Sequence, residues 1–74
     1  MVNINGEIWR VLLVPPDHHG LQKIDGGYSL GVCDDTIKTI YINSLLDDFM
    51  FKKVLCHELT HAAMFSYNVE LSID

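Results

Sequence analysis

Hydrophobic and polar residues alternate differently in successive segments of this 74-residue chain. The segment Glu7–Val14 is rich in β-branched, aliphatic and aromatic residues and is followed by two prolines, which favours a strand that ends there. Residues 28–34 alternate loosely, residues 36–42 alternate well, and a pair of aspartates at their junction supplies turn residues. These two segments predict an antiparallel hairpin.

The hydrophobic period changes to three and four residues in the second half of the chain, which predicts a helix from about Leu45 to Tyr67 or Asn68. Ser44 is its predicted N-cap, with Asp47 in the place of a capping-box acid. The stripe predicted to pack on the sheet consists of Phe51, Val54, Leu55, Leu59, Ala62 and Phe65. A second stripe consists of Met50, Lys53, His57, His61 and Met64, and is predicted to face a metal ion.

The predicted elements define an α+β fold. Residues 15–27 contain prolines, glycines and polar residues, and are predicted to form a long loop between the strand and the hairpin. The expected architecture is a small antiparallel sheet of about three strands packed on one long helix. Residues 1–74 are expected to form a single domain, since no internal repeat or second domain is visible in the sequence.

Composition narrows the choice of function. Hydrophobic residues make up 49% and charged residues 20%, which is typical of globular proteins. The net charge is -5 and the five Lys and Arg residues are scattered, so nucleic-acid binding is not expected. The N-terminus lacks the pattern of a secretory signal and no apolar run could span a bilayer, which predicts a cytoplasmic protein without membrane contact.

Cys33 and Cys56 are predicted to be thiols, and both are expected to be small buried apolar residues.

The predicted helix carries the sequence His-Glu-Leu-Thr-His at residues 57–61. Two histidines four residues apart lie on one helix face, so His57 and His61 can bind a single metal ion. Zinc suits two neutral imidazoles plus a further protein ligand and a water. Glu58 is placed to accept a proton from such a water, which predicts a zinc-dependent peptidase with Glu58 as the general base.

The residues around this motif resemble a known family. KTIYIN, a short spacer and LCHELTHAAMFS, within residues 28–66, resemble the ImmA/IrrE metallopeptidases, which are short zincins of the minigluzincin type. The resemblance implies that His57 and His61 bind Zn²⁺ and that Glu58 is the general base. It also implies a zincin-like fold with an edge strand along which an extended substrate can lie. A protein or peptide substrate, such as a repressor, and a phage, mobile-element or bacterial-host context are implied as well.

The chain departs from that family after the motif. Such enzymes take a third ligand, usually a Glu, from a second helix, whereas only thirteen residues follow His61 in this sequence. We therefore expect either a fragment that lacks this helix or a short form that receives it from a partner or from a second copy in a homo-oligomer. Glu70, Asp74, His18 and His19 remain alternative ligands. The chain alone is expected to have poor or no peptidase activity.

Two other functional classes stay open at this stage. One is a non-catalytic zinc-binding or oligomerising module that retains the scaffold of the family. The other is a small α+β interaction protein in which the motif occurs by chance, since three fixed residues are only moderately specific. Metal content separates the second of these from the other two hypotheses, and hydrolysis separates the peptidase from the zinc-binding module.

Overall fold

A computed structural model describes residues 1–67, and in them one long helix packs on a four-stranded sheet. The elements are strands β1 (Val2–Ile4), β2 (Glu7–Val14), β3 (Gly31–Asp34) and β4 (Thr39–Asn43), a 3-10 turn at His19–Leu21 and helix α1 (Asp48–Tyr67). The strand order is β1-β2-β4-β3. This confirms the α+β class and the strand predicted at residues 7–14. The alternative helix end at Asn68 lies outside the described residues.

The sheet is mixed, whereas the sequence predicted antiparallel strands. Strands β3 and β4 form the predicted antiparallel hairpin, with Cys33 opposite Ile40. Strand β2 runs parallel to β4, with Val11 opposite the same Ile40. The parallel pairing arises because the chain leaves β2 through a long loop and reaches β4 only after forming β3 at the edge, so β4 returns in the direction of β2.

Strand β1 was not predicted, although its turn has a clear sequence signal. Strands β1 and β2 pair as an antiparallel hairpin joined by Asn5 and Gly6. Both turn residues have positive φ values, 52° and 82°. Asn-Gly is the dipeptide that best tolerates two such residues in a tight hairpin, so it accounts for the fourth strand.

The hydrophobic core lies between the sheet and helix α1. Its buried members are Trp9, Ile40, Ile42 and Ala62. Most of the predicted helix stripe packs against them as partly buried side chains. Phe65 does not, because 48% of its side-chain surface is exposed. The two helix residues that are buried are Ala62 and, one turn earlier, Glu58.

Helix α1 begins at Asp48, so the predicted start near Leu45 with Ser44 as the N-cap is wrong. Asp47 caps the helix, since its carboxylate accepts a hydrogen bond of 2.8 Å from the amide of Met50. A carboxylate here also interacts favourably with the positive end of the helix dipole, which makes Asp47 the better cap. Within residues 1–67, no helix combines the length and hydropathy that crossing a bilayer would require.

Part of the second face of the sheet is covered by the loop that was predicted for residues 15–27. Because Ile40 and Ile42 face the helix, strand alternation places Tyr41 on the opposite face. There the Tyr41 ring lies 5.4 Å from the ring of His18. The loop contains the 3-10 turn, whose Leu21 is fully buried. His18 therefore lies across the sheet from helix α1.

The two cysteines have different environments. Both are free thiols, as predicted. Cys33 is half-buried against the core between the sheet and the helix. Cys56 is exposed, so its predicted burial is wrong. It falls between the two helix stripes and faces away from the sheet.

Candidate metal centre

The two motif histidines meet at one point beside helix α1. The Nε2 atoms of His57 and His61 are 3.2 Å apart. Their ring centroids are 4.8 Å apart and the ring planes are inclined by 77°. His57 is exposed and His61 is half-buried, so the paired nitrogens remain open to solvent on one side. The four-residue spacing in a regular helix produces this pairing.

The separation of the two nitrogens fits a shared zinc ion. Two imidazole nitrogens bound to one tetrahedral zinc at about 2.0–2.1 Å lie about 3.3 Å apart. The observed 3.2 Å between His57 and His61 matches that value. The same distance also accommodates an N–H···N hydrogen bond when one Nε2 carries a proton. The spacing is therefore compatible with two ligands of one metal ion, and imidazole nitrogen is a donor that zinc accepts.

Glu58 is held between helix α1 and strand β3. Only 7% of its surface is exposed. Its neighbour on the strand is Gly31, where an added Cβ would lie 3.2 Å from Cγ of Glu58 and 2.5 Å from Cγ1 of Val54. The strand approaches the helix this closely because Gly31 has no side chain. The glycine thus makes room for the carboxylate.

Burial changes the proton affinity of Glu58. Removal from water raises the pKa of its carboxyl group, because the charged form loses more hydration than the neutral form. Positive charge on the neighbouring His61 and His57 acts in the opposite direction on this pKa. A carboxylate with a raised pKa is a stronger proton acceptor, which is the property that a general base needs near neutral pH.

A groove of about 710 Å³ runs beside the motif. His57 and Glu58 form part of its wall. One wall of the groove is helix α1, where residues of the predicted metal-facing stripe line it towards the start of the helix. The other wall is the start of β3. These further lining residues include Leu30, Gly31, Met50, Lys53 and Val54. The carboxylate and one imidazole therefore face a space large enough for side chains of a bound peptide.

A third protein ligand does not join the two histidines within residues 1–67, where no group of three His, Cys, Asp or Glu side chains is placed to hold a metal ion. His18 stacks on His19, with ring centroids 4.2 Å apart, on the far face of the sheet. The structure therefore does not bring these two residues to the motif. Glu70 and Asp74, the other candidates, lie outside the described residues.

Two features of the site were missed from sequence. The burial of Glu58 has a signal, since position 58 continues the stripe formed by residues 51, 54, 55 and 62, and a carboxylate in that stripe is unusual. Gly31 at the groove has a weaker signal, because an isolated glycine in a strand indicates close approach of another element without naming it.

A helix that presents two histidines and an intervening carboxylate beside a small sheet defines a metallopeptidase-like domain. The chain matches the peptidase family M78, described as the IrrE N-terminal-like domain, over residues 18–73. This match covers more than half of the chain, and the chain belongs to this family. It confirms the resemblance to ImmA/IrrE proteins. Searches of curated proteins and of solved structures found no match.

Proposed function

We propose that this chain is a zinc metallopeptidase domain in which His57 and His61 bind the metal and Glu58 is the general base. The observation that carries the proposal is the 3.2 Å separation of the two Nε2 atoms, which suits two ligands of one zinc ion. The family match supports the same activity class. The zincin-like domain proposed here spans residues 1–74.

Bound zinc would act as a Lewis acid and lower the pKa of a coordinated water to about 7. Glu58 contributes the proton transfer. Its carboxylate lines the same groove as His57, so it would be positioned to accept a proton from a water held beside that histidine. Burial keeps the carboxylate basic, and the proton taken from the water would then pass to the leaving amine of the cleaved peptide bond.

Strand β3 offers a backbone surface for an extended peptide. It is the last strand in the sheet order, so one of its edges is unpaired within residues 1–67. The amide of Asn43 donates to the carbonyl of Leu30, which sets the register of the hairpin. In this register the backbone groups of Gly31 and Cys33 point away from β4. We propose that a substrate segment pairs with these groups and passes the motif.

The broader setting of the proposal comes from the family. We propose a protein or peptide substrate, with a regulatory protein such as a repressor as the specific case, in a phage, mobile-element or bacterial-host context. A cytoplasmic location is part of the same proposal. The remaining coordination positions on zinc are proposed to be filled by water, by a ligand beyond residue 67, or by a partner chain or second copy.

A second candidate function has one specific observation in its favour. Among residues 1–67, only two side chains are placed for the metal, and two histidines alone bind zinc more weakly than three protein ligands. A non-catalytic module that uses zinc for stability or assembly would retain the same two histidines. In that case Glu58 has no chemical role.

The deciding experiment compares the wild-type chain with Glu58→Gln, each with its zinc content measured. We expect both proteins to bind zinc and only the wild type to cleave an unstructured protein such as casein, slowly because the ligand set is incomplete. Equal zinc content with no cleavage by either protein would support the non-catalytic module. Equal cleavage by both proteins would exclude Glu58 as the base.

A further inference from the structure

The groove beside the motif combines apolar walls with one lysine and, next to the motif, the carboxylate of Glu58. Leu30, Met50 and Val54 supply apolar surface, and 45% of the Leu30 surface is exposed to solvent. Lys53 is the cationic residue that lines this groove. It lies one helical turn before His57, on the same face. An extended peptide that reaches the motif along β3 must therefore place neighbouring side chains close to Lys53.

Lys52 and Lys53 are adjacent in sequence but differ in their partners. Lys52 forms an ion pair of 3.1 Å with Asp48, one turn earlier on the helix. It lies on a different side of the helix, next to Leu55 and Leu59. Lys53 has no carboxylate within ion-pair distance among the residues that the structure describes. Its ammonium group is available to a ligand in the groove.

We propose that Lys53 determines substrate specificity: the groove takes a peptide segment in which an apolar side chain is flanked by an acidic one. The apolar side chain would contact Met50 and Val54, and the carboxylate would pair with Lys53. This inference rests on the proposed function, since it assigns the substrate class of that same site.

The overall charge of the chain works against an acidic preference. The net charge is -5, so the protein as a whole repels acidic peptides. An acidic preference must then come from local pairing, and Lys53 is the positive residue at the groove. An ion pair between partly exposed groups changes affinity by roughly two- to fivefold, and reversing one charge makes the effect larger because attraction becomes repulsion.

The test uses zinc-loaded Glu58→Gln protein and three eight-residue peptides with a central Leu. In the first peptide the Leu is flanked by two Glu residues, in the second by two Lys residues, and in the third the two Glu residues are moved to the ends. The third peptide has the same net charge as the first. Binding is measured from NMR amide shifts, which also report whether Met50, Lys53 and Val54 are contacted.

We expect the first peptide to bind about fivefold more tightly than the other two, with shifts at the groove. Lys53→Glu should reverse the preference between the first and second peptides. The matched variant Lys52→Glu should leave the order unchanged, because Lys52 faces another side of the helix. The same peptides are then offered to the wild type for cleavage.

The outcomes separate this inference from the proposed function. A preference for flanking Glu that Lys53→Glu reverses supports the inference even if the wild type cleaves nothing, and that second result contradicts only the peptidase. Equal binding of the three peptides, no shifts at the groove, or a preference that Lys53→Glu leaves intact would overturn the inference. Cleavage that ignores the flanking charge would overturn it as well.

Discussion

The two edges of the sheet serve different purposes. At the β1 edge the hairpin is tied to the end of helix α1: the Asn5 side chain donates to the Ser66 carbonyl, and Nε1 of Trp9 donates to Oγ of Ser66, each at 2.9 Å. At the β3 edge the helix approaches across Gly31, and the closest polar group is the buried carboxylate of Glu58. Two side-chain hydrogen bonds thus tie the helix to the β1 hairpin, whereas the carboxylate of the proposed chemistry lies at the β3 edge.

This difference is expected of a site that needs a buried charge. Burying the carboxylate of Glu58 costs free energy of folding because the charge loses hydration. The core formed by residues 1–67 is small, so other contacts must offset that cost. Trp9, in the β1–β2 hairpin, is the largest fully buried side chain and is also hydrogen-bonded. Substitutions in the β1–β2 hairpin should therefore change the free energy of unfolding, and substitutions at Glu58 should change the proposed chemistry.

The largest effect is expected at the β1 edge. Trp9→Ala should lower the free energy of unfolding by about 3–5 kcal/mol, since it removes the largest buried side chain, and at this size the chain should be mostly unfolded. Circular dichroism during urea denaturation measures the change. Trp9→Phe keeps most of the volume and should stay folded with unchanged zinc affinity. A folded Trp9→Ala protein would contradict the stabilising role of this side chain. Loss of zinc binding by a folded Trp9→Phe protein would contradict the claim that substitutions at the β1 edge affect stability alone.

A smaller effect is expected at the β3 edge. Gly31→Ala places a Cβ 2.5 Å from Val54, so the strand and helix must move apart, at a cost of about 1–3 kcal/mol. The melting temperature measures it. Gly27→Ala is the matched control, because its Cβ would meet only exposed side chains of the loop at 3.3 Å or more, and it should be close to neutral. Equal melting temperatures for the two variants would contradict the close packing at Gly31.

Glu58→Gln should stabilise the metal-free chain by about 1 kcal/mol at pH 7, roughly 4–8 °C in melting temperature. Because burial raises the pKa of Glu58 in the folded state, the folded protein binds a proton more tightly than the unfolded chain. The wild type therefore loses stability as the pH rises through this pKa, and the advantage of the variant should vanish below the usual carboxyl range. Thermal melts in a chelator between pH 3 and pH 8 test this. A pH-independent difference would contradict the buried charge.

The alkylation rates of the two cysteines test how well the helix covers the β3 edge, with little effect on folding. Burial raises the pKa of Cys33 to about 12, and the nearby carboxylate of Glu58 adds to the increase. Since only the thiolate is alkylated, iodoacetamide at pH 8 should modify exposed Cys56 at least about tenfold faster than Cys33. Mass spectrometry of digests follows both sites, with Cys56→Ser as the control. Equal rates would indicate that the helix does not cover the β3 edge.

Structural features that depend on neighbouring residues in the sequence could be predicted better than features that depend on distant segments. The pairing of His57 and His61 follows from helix periodicity alone, and it was anticipated. The Asn5-Gly6 turn was equally local, so strand β1 could have been predicted from it. At the helix start, Ser44 and Asp47 both fit the cap pattern, and the choice between them depends on how the preceding chain leaves the sheet.

The other features could not be predicted from sequence because they depend on contacts between distant segments. The parallel pairing of β2 and β4 requires knowledge of where the loop at residues 15–27 places the chain. The role of Gly31 depends on a helix that begins much later in the sequence. His18 and His19 were candidate ligands from sequence, but the sheet lies between them and the motif. Spacing predicted the pairing of the two motif histidines, but only the fold shows which other residues lie beside them.

The central claim is that His57 and His61 share one zinc ion, and calorimetric zinc titration tests it most directly. We expect one zinc per wild-type chain and at least about tenfold weaker binding for His57→Ala and for His61→Ala, with His18→Ala unchanged because His18 lies across the sheet. Wild-type affinity in either motif variant, or a loss of binding in His18→Ala instead, would contradict the account.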